Sequence, residues 1–389
     1  MVETNIALTA AAPARAQAMQ SFDFQTRPRV VFGTGALDRL GELATALGGS
    51  RALLVSDPGV VSAGYPNRAI TQLMRADVEA FLFDGVAENP TTEHVGAGLA
   101  FAQSKQINLI IGLGGGSSID CAKGVNFLLS NGGKMQDYWG VGKAAKPMLP
   151  LIAIPTTAGT GSEAQSFALI SDPETHQKMA CGDPKAAAAA TILDPELTLT
   201  QPAAVTAHTG IDAVSHALET WVTNKRNALS QMYSREAWRL LSGSFERVLA
   251  DPSDVEARAA MQLGANFAGS AIEASMLGAA HSCANPLTAH RDVVHGSAVG
   301  MMLPAVIRFN AKTVGALYEE LGPGGAEMIA SRVESMLRLA GLPARLSEYN
   351  IAEADLPGLA EEASRQWTAR FNPRPVDSAE LLEIYRCVL

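Results

Sequence analysis

The chain is predicted to fold as an α/β domain followed by an all-helical domain, and three observations carry that expectation. Six short apolar runs, RVVFG, ALLVS, AFLFD, NLIIGLG, LIAIPT and ATILD, alternate with longer Ala- and Leu-rich segments between Phe22 and about Asp194. Such alternation builds parallel strands joined by helical crossovers. After about Leu199 the strand-like runs cease, and helical patterns such as AAVTAHTGIDAVSHALETWV and SREAWRLLSGSFERVLA take over. At 389 residues the chain also exceeds the usual size of one compact core. The expected division is a flexible tail over 1–21, an α/β unit over 22–199 and a helical unit over 200–389.

Taken in order, the tail MVETNIALTAAAPARAQAMQ has Glu3 before its short apolar run and Arg15 after it, the reverse of a secretory signal. The six strand candidates are almost continuously apolar, as strands covered on both faces are. Ligands of such a sheet belong at the carboxyl ends of its strands. No Pro- or Ser-rich linker divides the two halves, so the cleft between them is expected to be short and well packed and to hold the site.

Composition narrows the function classes. Apolar residues make up 47% and charged residues 18%, too hydrophobic for disorder, and no run of 18 uninterrupted apolar residues suggests a membrane span. A net charge of -9 excludes the basic surface that nucleic acid needs. Cys121, Cys181, Cys283 and Cys387 form no CxxC pair and suit reduced thiols of a cytoplasmic protein.

Two Gly- and hydroxyl-rich loops follow apolar strands. GLGGGSSI, Gly112 to Ile119, separates INLII from the helix-like DCAKGVNFLL. Its consecutive glycines let backbone approach a pyrophosphate, with a helix N-terminus behind them. The spacing is not G-x-G-x-x-G. PTTAGTGSE, Pro155 to Glu163, repeats the texture after LIAI. Asp57, after ALLVS, suits a ribose diol and would repel a 2′-phosphate, favouring NAD over NADP. The alternative for Asp57 is a helix cap ahead of Pro58 and Gly59.

Asp212 and His216 lie four apart in IDAVSHALE, on one face of a helix, and His281, His290 and His295 fall within fifteen residues. One Asp with three His is a mixed O/N set that suits Fe(II) or Zn(II) better than Ca(II) or Mg(II). An Asp–His ion pair is the alternative for the first two. Cys283 is not needed as a ligand, and His94, His176 and His208 have no comparable partners and read as ordinary histidines.

Together GGGSSIDCAK, PTTAGTGSE, TGIDAVSHALE, AAHSCANPL and VVHGSAVGMMLP resemble the iron-containing, group III alcohol dehydrogenase family, and the likeness runs from about Phe22 to NPRPVDSAELLEIY. The resemblance implies a Rossmann-like dinucleotide-binding domain and an all-α metal-binding domain, an arrangement shared with dehydroquinate synthase, with one divalent metal in the cleft. It implies Asp212, His216, His281 and His295 as metal ligands. Gly115, Gly116 and Ser117 match the pyrophosphate loop and Thr156, Thr157 and Thr160 the second nucleotide loop, while Asp57, Asn89 and Lys178 match positions beside the cofactor. The expected reaction moves a hydride between NAD(H) and a small alcohol, aldehyde or ketone, in a homodimer or larger assembly.

The sequence departs from the family in two places. Where many members carry HxxxH, Asn285 stands four residues after His281; asparagine does not titrate near neutrality, so His290 or a water chain is expected to take over any proton relay. Ile272 and Glu273 stand where a Phe is common, and are expected to reshape the substrate pocket. The rival readings are a hydroxyacid–oxoacid transhydrogenase that retains its cofactor, a dehydroquinate synthase-like lyase, which would want more Lys and Arg, and a non-catalytic NAD-binding module, which would not need four ligand positions.

Overall fold

The computed structural model describes residues 22–25, 27–174 and 177–389, so the predicted tail and His176 lie outside the described residues. All six predicted strands form one parallel sheet: β1 Arg29–Phe32, β2 Arg51–Val55, β3 Glu79–Phe83, β4 Leu109–Gly114, β6 Leu151–Pro155 and β9 Ala190–Leu193. Their order across the sheet is β1-β9-β6-β4-β2-β3. The chain leaves β2 in one direction toward β3 and returns to place β4 on the other side, so the strand order reverses between β2 and β4. A crevice opens at such a reversal. Register carries the two loops to one edge, since Gly112 lies opposite Val55 and Gly114 opposite Pro155.

β4 and β6 are buried throughout, as continuous apolar runs demand. The edges differ from the expectation: β1 leaves Val30 and Phe32 exposed, and β3 is only half-buried, because each has a neighbour on one side alone. The helices over the sheet are α1 Leu40–Ala46, α2 Pro58–Ser62, α3 Tyr65–Arg75, α4 Thr92–Gln103 and α5 Gly116–Asn131. A three-stranded sheet not foreseen in the sequence, β5 Gly140–Val141, β7 Phe167–Ser171 and β8 Lys178–Gly182 in the order β5-β8-β7, hangs between β6 and β9. It brings Lys178 to the cleft.

The helical half holds α6 Ala203–Val222, α7 Ala228–Ala250, α8 Val255–Ala274, α9 Ala279–His290, α10 His295–Glu319, α11 Gly325–Leu339, α12 Leu356–Arg365 and α13 Ser378–Arg386. Its core runs from Ile211, Val214 and Leu218 of α6 through Leu241 and Phe245 of α7 to Val299 and Leu303 of α10. Helix α8 ties the halves together. Gln262 donates to the Pro155 carbonyl at 3.1 Å, Asn266 to Glu163 at 3.0 Å, and Glu273 accepts from the Ser166 amide at 3.1 Å and its hydroxyl at 2.5 Å. Glu273 therefore spends its carboxylate on a bond between the halves rather than on a substrate pocket.

Candidate active site

The sequence places His208, Asp212, His216 and Glu219 at intervals of four, four and three residues, and all four share one face of α6. Asp212, His216 and, from the first turn of α9, His281 present donor atoms within 4.8 Å of one another, and all three are buried. His216 Nε2 lies 3.4 Å, His281 Nε2 3.5 Å and His295 Nε2 3.9 Å from Asp212 Oδ1, with His295 opening α10 at the half-exposed side of the group. The rings of His216 and His281 stack at 4.9 Å between centroids.

Asp212 Oδ1 and His281 Nε2 are buried without a hydrogen-bond partner. Orphaned polar atoms of this kind cost about 1–3 kcal/mol each unless something satisfies them. A divalent cation among one carboxylate oxygen and three imidazole nitrogens does so, and the donor set fits Fe(II) or Zn(II). Electrostatics agree. Burial pushes His216 down and His295 down to about 3, leaving both as neutral nitrogen donors. Burial opposes ionisation of Asp212, yet His216, His281 and His295 hold its carboxyl well below the usual range. Burial also opposes charge on His281, but Glu219 and Asp212 together outweigh it and raise the ring to about 9, so this ring carries a proton on Nε2 that a metal would displace.

Glu219 was not singled out in the sequence, although its place seven residues after Asp212 was a signal for the shared face. Its Oε2 lies 2.5 Å from His281 Nδ1 and its Oε1 accepts from the Ala280 amide at 2.7 Å. A carboxylate on Nδ1 fixes the tautomer that offers Nε2 to a metal. His208 has a partner too: its Nδ1 pairs with Ser297 Oγ at 2.9 Å, and Gly296 packs so tightly on the His208 carbonyl that a Cβ there would fall 2.0 Å from the oxygen. This contact seats the start of α10, and with it His295. His94 accepts from the Thr91 amide at 3.0 Å and caps α4.

The nucleotide residues meet at the strand ends. Helix α5 begins after Gly115 with no side chain capping its first turn, which leaves amides for an anion. A Cβ on Gly116 would fall 2.6 Å from Thr160 Oγ1, so the two loops touch, and the Thr156 amide donates to the Gly114 carbonyl at 2.9 Å. Thr157 is half-buried beside Gly115. Asp57 does cap α2, Oδ1 accepting from the Val60 amide at 3.1 Å, while Oδ2 accepts from Ser118 at 3.0 Å. The Asn89 amide donates to Ser117 Oγ at 3.3 Å, and Lys178 Nζ to Asn89 Oδ1 at 3.1 Å. Lys178 stays exposed at the cleft mouth, and desolvation by its surroundings lowers its pKa against the pull of Asp120 and Asp212. Gly159 of the second loop packs on Thr209 of α6, three residues before Asp212, where an added Cβ would fall 2.4 Å from the Thr209 side chain, so nucleotide and metal-type clusters adjoin.

His290 is a correction. It lies nine residues, about 13.5 Å, along α9 from His281 and half a turn round the helix, and pairs at the surface with Glu362 at 2.8 Å. It does not reach the cluster. Asn285 stays on the His281 face, half-buried, its amide donating to Gln366 Oε1 at 3.0 Å. Next to Gln366, Trp367 meets Phe167 of β7 at 5.9 Å, an aromatic contact across the halves. Cys283 is fully buried, and burial drives its thiol pKa far up, which suits a packing role. A surface hollow of about 690 Å³ beside Trp221, Met232 and Arg235 is lined by none of the predicted site residues.

A doubly wound sheet whose strand-end loops face a buried Asp/His cluster defines a metal-dependent dinucleotide oxidoreductase. Comparison with known proteins agrees: residues 27–195 match the family described as iron-containing alcohol dehydrogenase, and residues 206–389 its C-terminal region. The chain belongs to the iron-containing alcohol dehydrogenase family. It is 31% identical over 379 residues to the 1,3-propanediol dehydrogenase of Klebsiella pneumoniae, covering 94% of this chain and 98% of that one. A crystal structure of 1,3-propanediol oxidoreductase superposes with a TM-score of 0.91 at 31% identity, over 95% of this chain and all of the other. Sulfoacetaldehyde reductase from Bifidobacterium kashiwanohense, solved with NAD+, gives 0.87 at 25% identity, over 95% and 99%. The protein is an alcohol dehydrogenase or aldehyde reductase of the class that uses NAD and iron. Among the described residues no helix is long and apolar enough to cross a membrane.

Proposed function

We propose that this chain interconverts a small alcohol and its aldehyde or ketone, with Asp212, His216, His281 and His295 holding a divalent metal, iron or zinc, and the loops after β2, β4 and β6 holding NAD. The observation that carries the reading is the convergence of three imidazoles on the orphaned Asp212 Oδ1, with Lys178 between that group and the nucleotide loops. When bound, the metal supplies Lewis acidity toward the substrate oxygen and NAD supplies the hydride acceptor.

The chain's own residues do the rest. Glu219 holds His281 in the Nδ1–H tautomer. The uncapped first turn of α5 binds the pyrophosphate, with Gly115, Gly116 and Ser117 in close approach and Thr156, Thr157 and Thr160 across from them. Asp57 takes the ribose, and Lys178 with Asn89 orients the cofactor near the metal group. Asn285, steadied by Gln366, orients substrate by hydrogen bonding and carries no proton, so proton exchange runs through water. The Phe167–Trp367 contact narrows the cleft toward small substrates, as the likeness to a propanediol dehydrogenase supports.

We further propose a cytoplasmic homodimer. The free cysteines, three of them buried, support the compartment, and Val30 and Phe32, exposed on the edge strand β1, support the association. Sedimentation velocity tests the association: Val30→Lys with Phe32→Lys shifts a dimer to monomer, and an unchanged species places the contact elsewhere.

The deciding experiment measures metal content and NADH oxidation with short aldehydes before and after chelation, with Fe(II) or Zn(II) added back, in the wild type and His281→Ala. Turnover that follows the metal and is lost in the variant supports the reading. Full activity of metal-free protein or of the variant overturns the ligand assignment.

A further inference from the structure

Helix α9 carries His281 as its third residue, and the residue before the helix, Gly278, has no side chain with which to cap it. The first amides of a helix have no partner within it and must find one elsewhere. Here they find it in two distant elements. The Ala279 amide donates to Asn372 Oδ1 at 3.2 Å, and the Ala280 amide to Glu219 Oε1 at 2.7 Å. Asn372 is itself clamped: its Nδ2 donates to Asn310 Oδ1 and to the Arg374 carbonyl, both at 2.7 Å, and its Oδ1 accepts from Asn310 Nδ2 at 3.0 Å. Asn310 and Asn372 are both almost wholly buried. Because Asn372 takes the first amide, Glu219 is left to divide its two oxygens between the second amide and the ring of His281.

We propose that Asn372 is a positioning residue for His281: by capping α9 from the C-terminal segment, it sets the angle at which the His281 ring enters the metal group. Gly278 belongs to the same device. A Cβ there would stand 3.0 Å from Asn372 Oδ1 and 3.1 Å from Glu219 Oε1, so a methyl would push these acceptors back from the helix end by a few tenths of an ångström. The inference rests on the proposal that His281 is a metal ligand.

The test uses the full-length protein, stripped with a chelator and titrated with Zn(II) against a chromophoric chelator at fixed pH, well below the unfolding temperature of each variant. Asn372→Ala and Gly278→Ala are each expected to weaken Zn(II) binding by about 10- to 100-fold, the range for groups that orient a ligand. Thr223→Val removes a hydrogen bond to the neighbouring Phe371 carbonyl without touching the cap, and is expected to leave the affinity unchanged. A folded Asn372→Ala with wild-type affinity overturns the inference, as does an equal loss in Thr223→Val, which would mean mere loosening of the segment. If Asn372→Ala does not fold, Gly278→Ala decides alone. Failure of the wild type to bind Zn(II) overturns the metal reading and this inference together, whereas wild-type binding with unaffected variants overturns this inference only.

Discussion

Asp57 shows how one carboxylate can serve structure and selectivity at once. It caps α2 through Oδ1 and holds Ser118 through Oδ2, at the point where the strand order reverses. Glycine at an N-cap costs only a few tenths of a kcal/mol relative to aspartate. Asp57→Gly is therefore expected to stay folded while its preference for NAD over NADP relaxes. The ratio of kcat/KM values for the two cofactors measures this, and an unchanged ratio removes Asp57 from the ribose role. Both readings of Asp57 were open in the sequence, since turn residues and ribose acceptors use the same amino acid. Histidine was equally ambiguous: His281 and His290 sit in one short helix, and only the helical rotation between them sends one to the cluster and the other to the surface.

Among the elements, α6 was legible almost residue by residue, because its apolar periodicity and its polar face repeat on the same 3.6-residue turn. Seating α10 against it is a matter of clearance. A methyl at Gly296 cannot fit 2.0 Å from the His208 carbonyl, so Gly296→Ala is expected to push the start of α10, and His295, away from Asp212. Overpacking typically costs about 1–3 kcal/mol. Metal content and thermal unfolding should fall together, and a variant that keeps full metal occupancy would show that His295 is not held by this contact. The β5-β8-β7 sheet escaped sequence reasoning for a different reason. β5 has two residues and β7 leaves Leu169 exposed, so neither offers the buried apolar run that identified the larger sheet.

Across the whole molecule, buried carboxylates respond to acid in opposite senses: burial raises Asp120 and Glu163, whereas Asp183 is held low. Asp183 is buried where β8 leaves the small sheet, and although burial opposes its charge, the side chain and amide of Lys185 and the amide of Ala144 hold its pKa below the ordinary value. A depressed carboxylate contributes stability that is fully present at neutral pH and is lost as pH falls below about 4, through its folded value. Asp183→Asn is expected to lower stability near neutrality and to flatten its acid dependence. Denaturant midpoints at pH 7 and near pH 3 measure this; an unchanged difference between them would exclude Asp183 as a source of acid sensitivity.

The sequence by itself determined the two-part architecture, the six parallel strands and the residue types at the site, because local periodicity and loop chemistry are written in neighbouring positions. It also carried enough ordered motifs to identify the family. What only the tertiary structure decided depends on residues far apart in the chain: Glu219 against His281, Asn372 beneath Ala279, Glu273 spent on Ser166, and His290 turned away from the cluster. Those pairings arise from how helices rotate and pack against one another, and a sequence records that rotation only through the fold it produces.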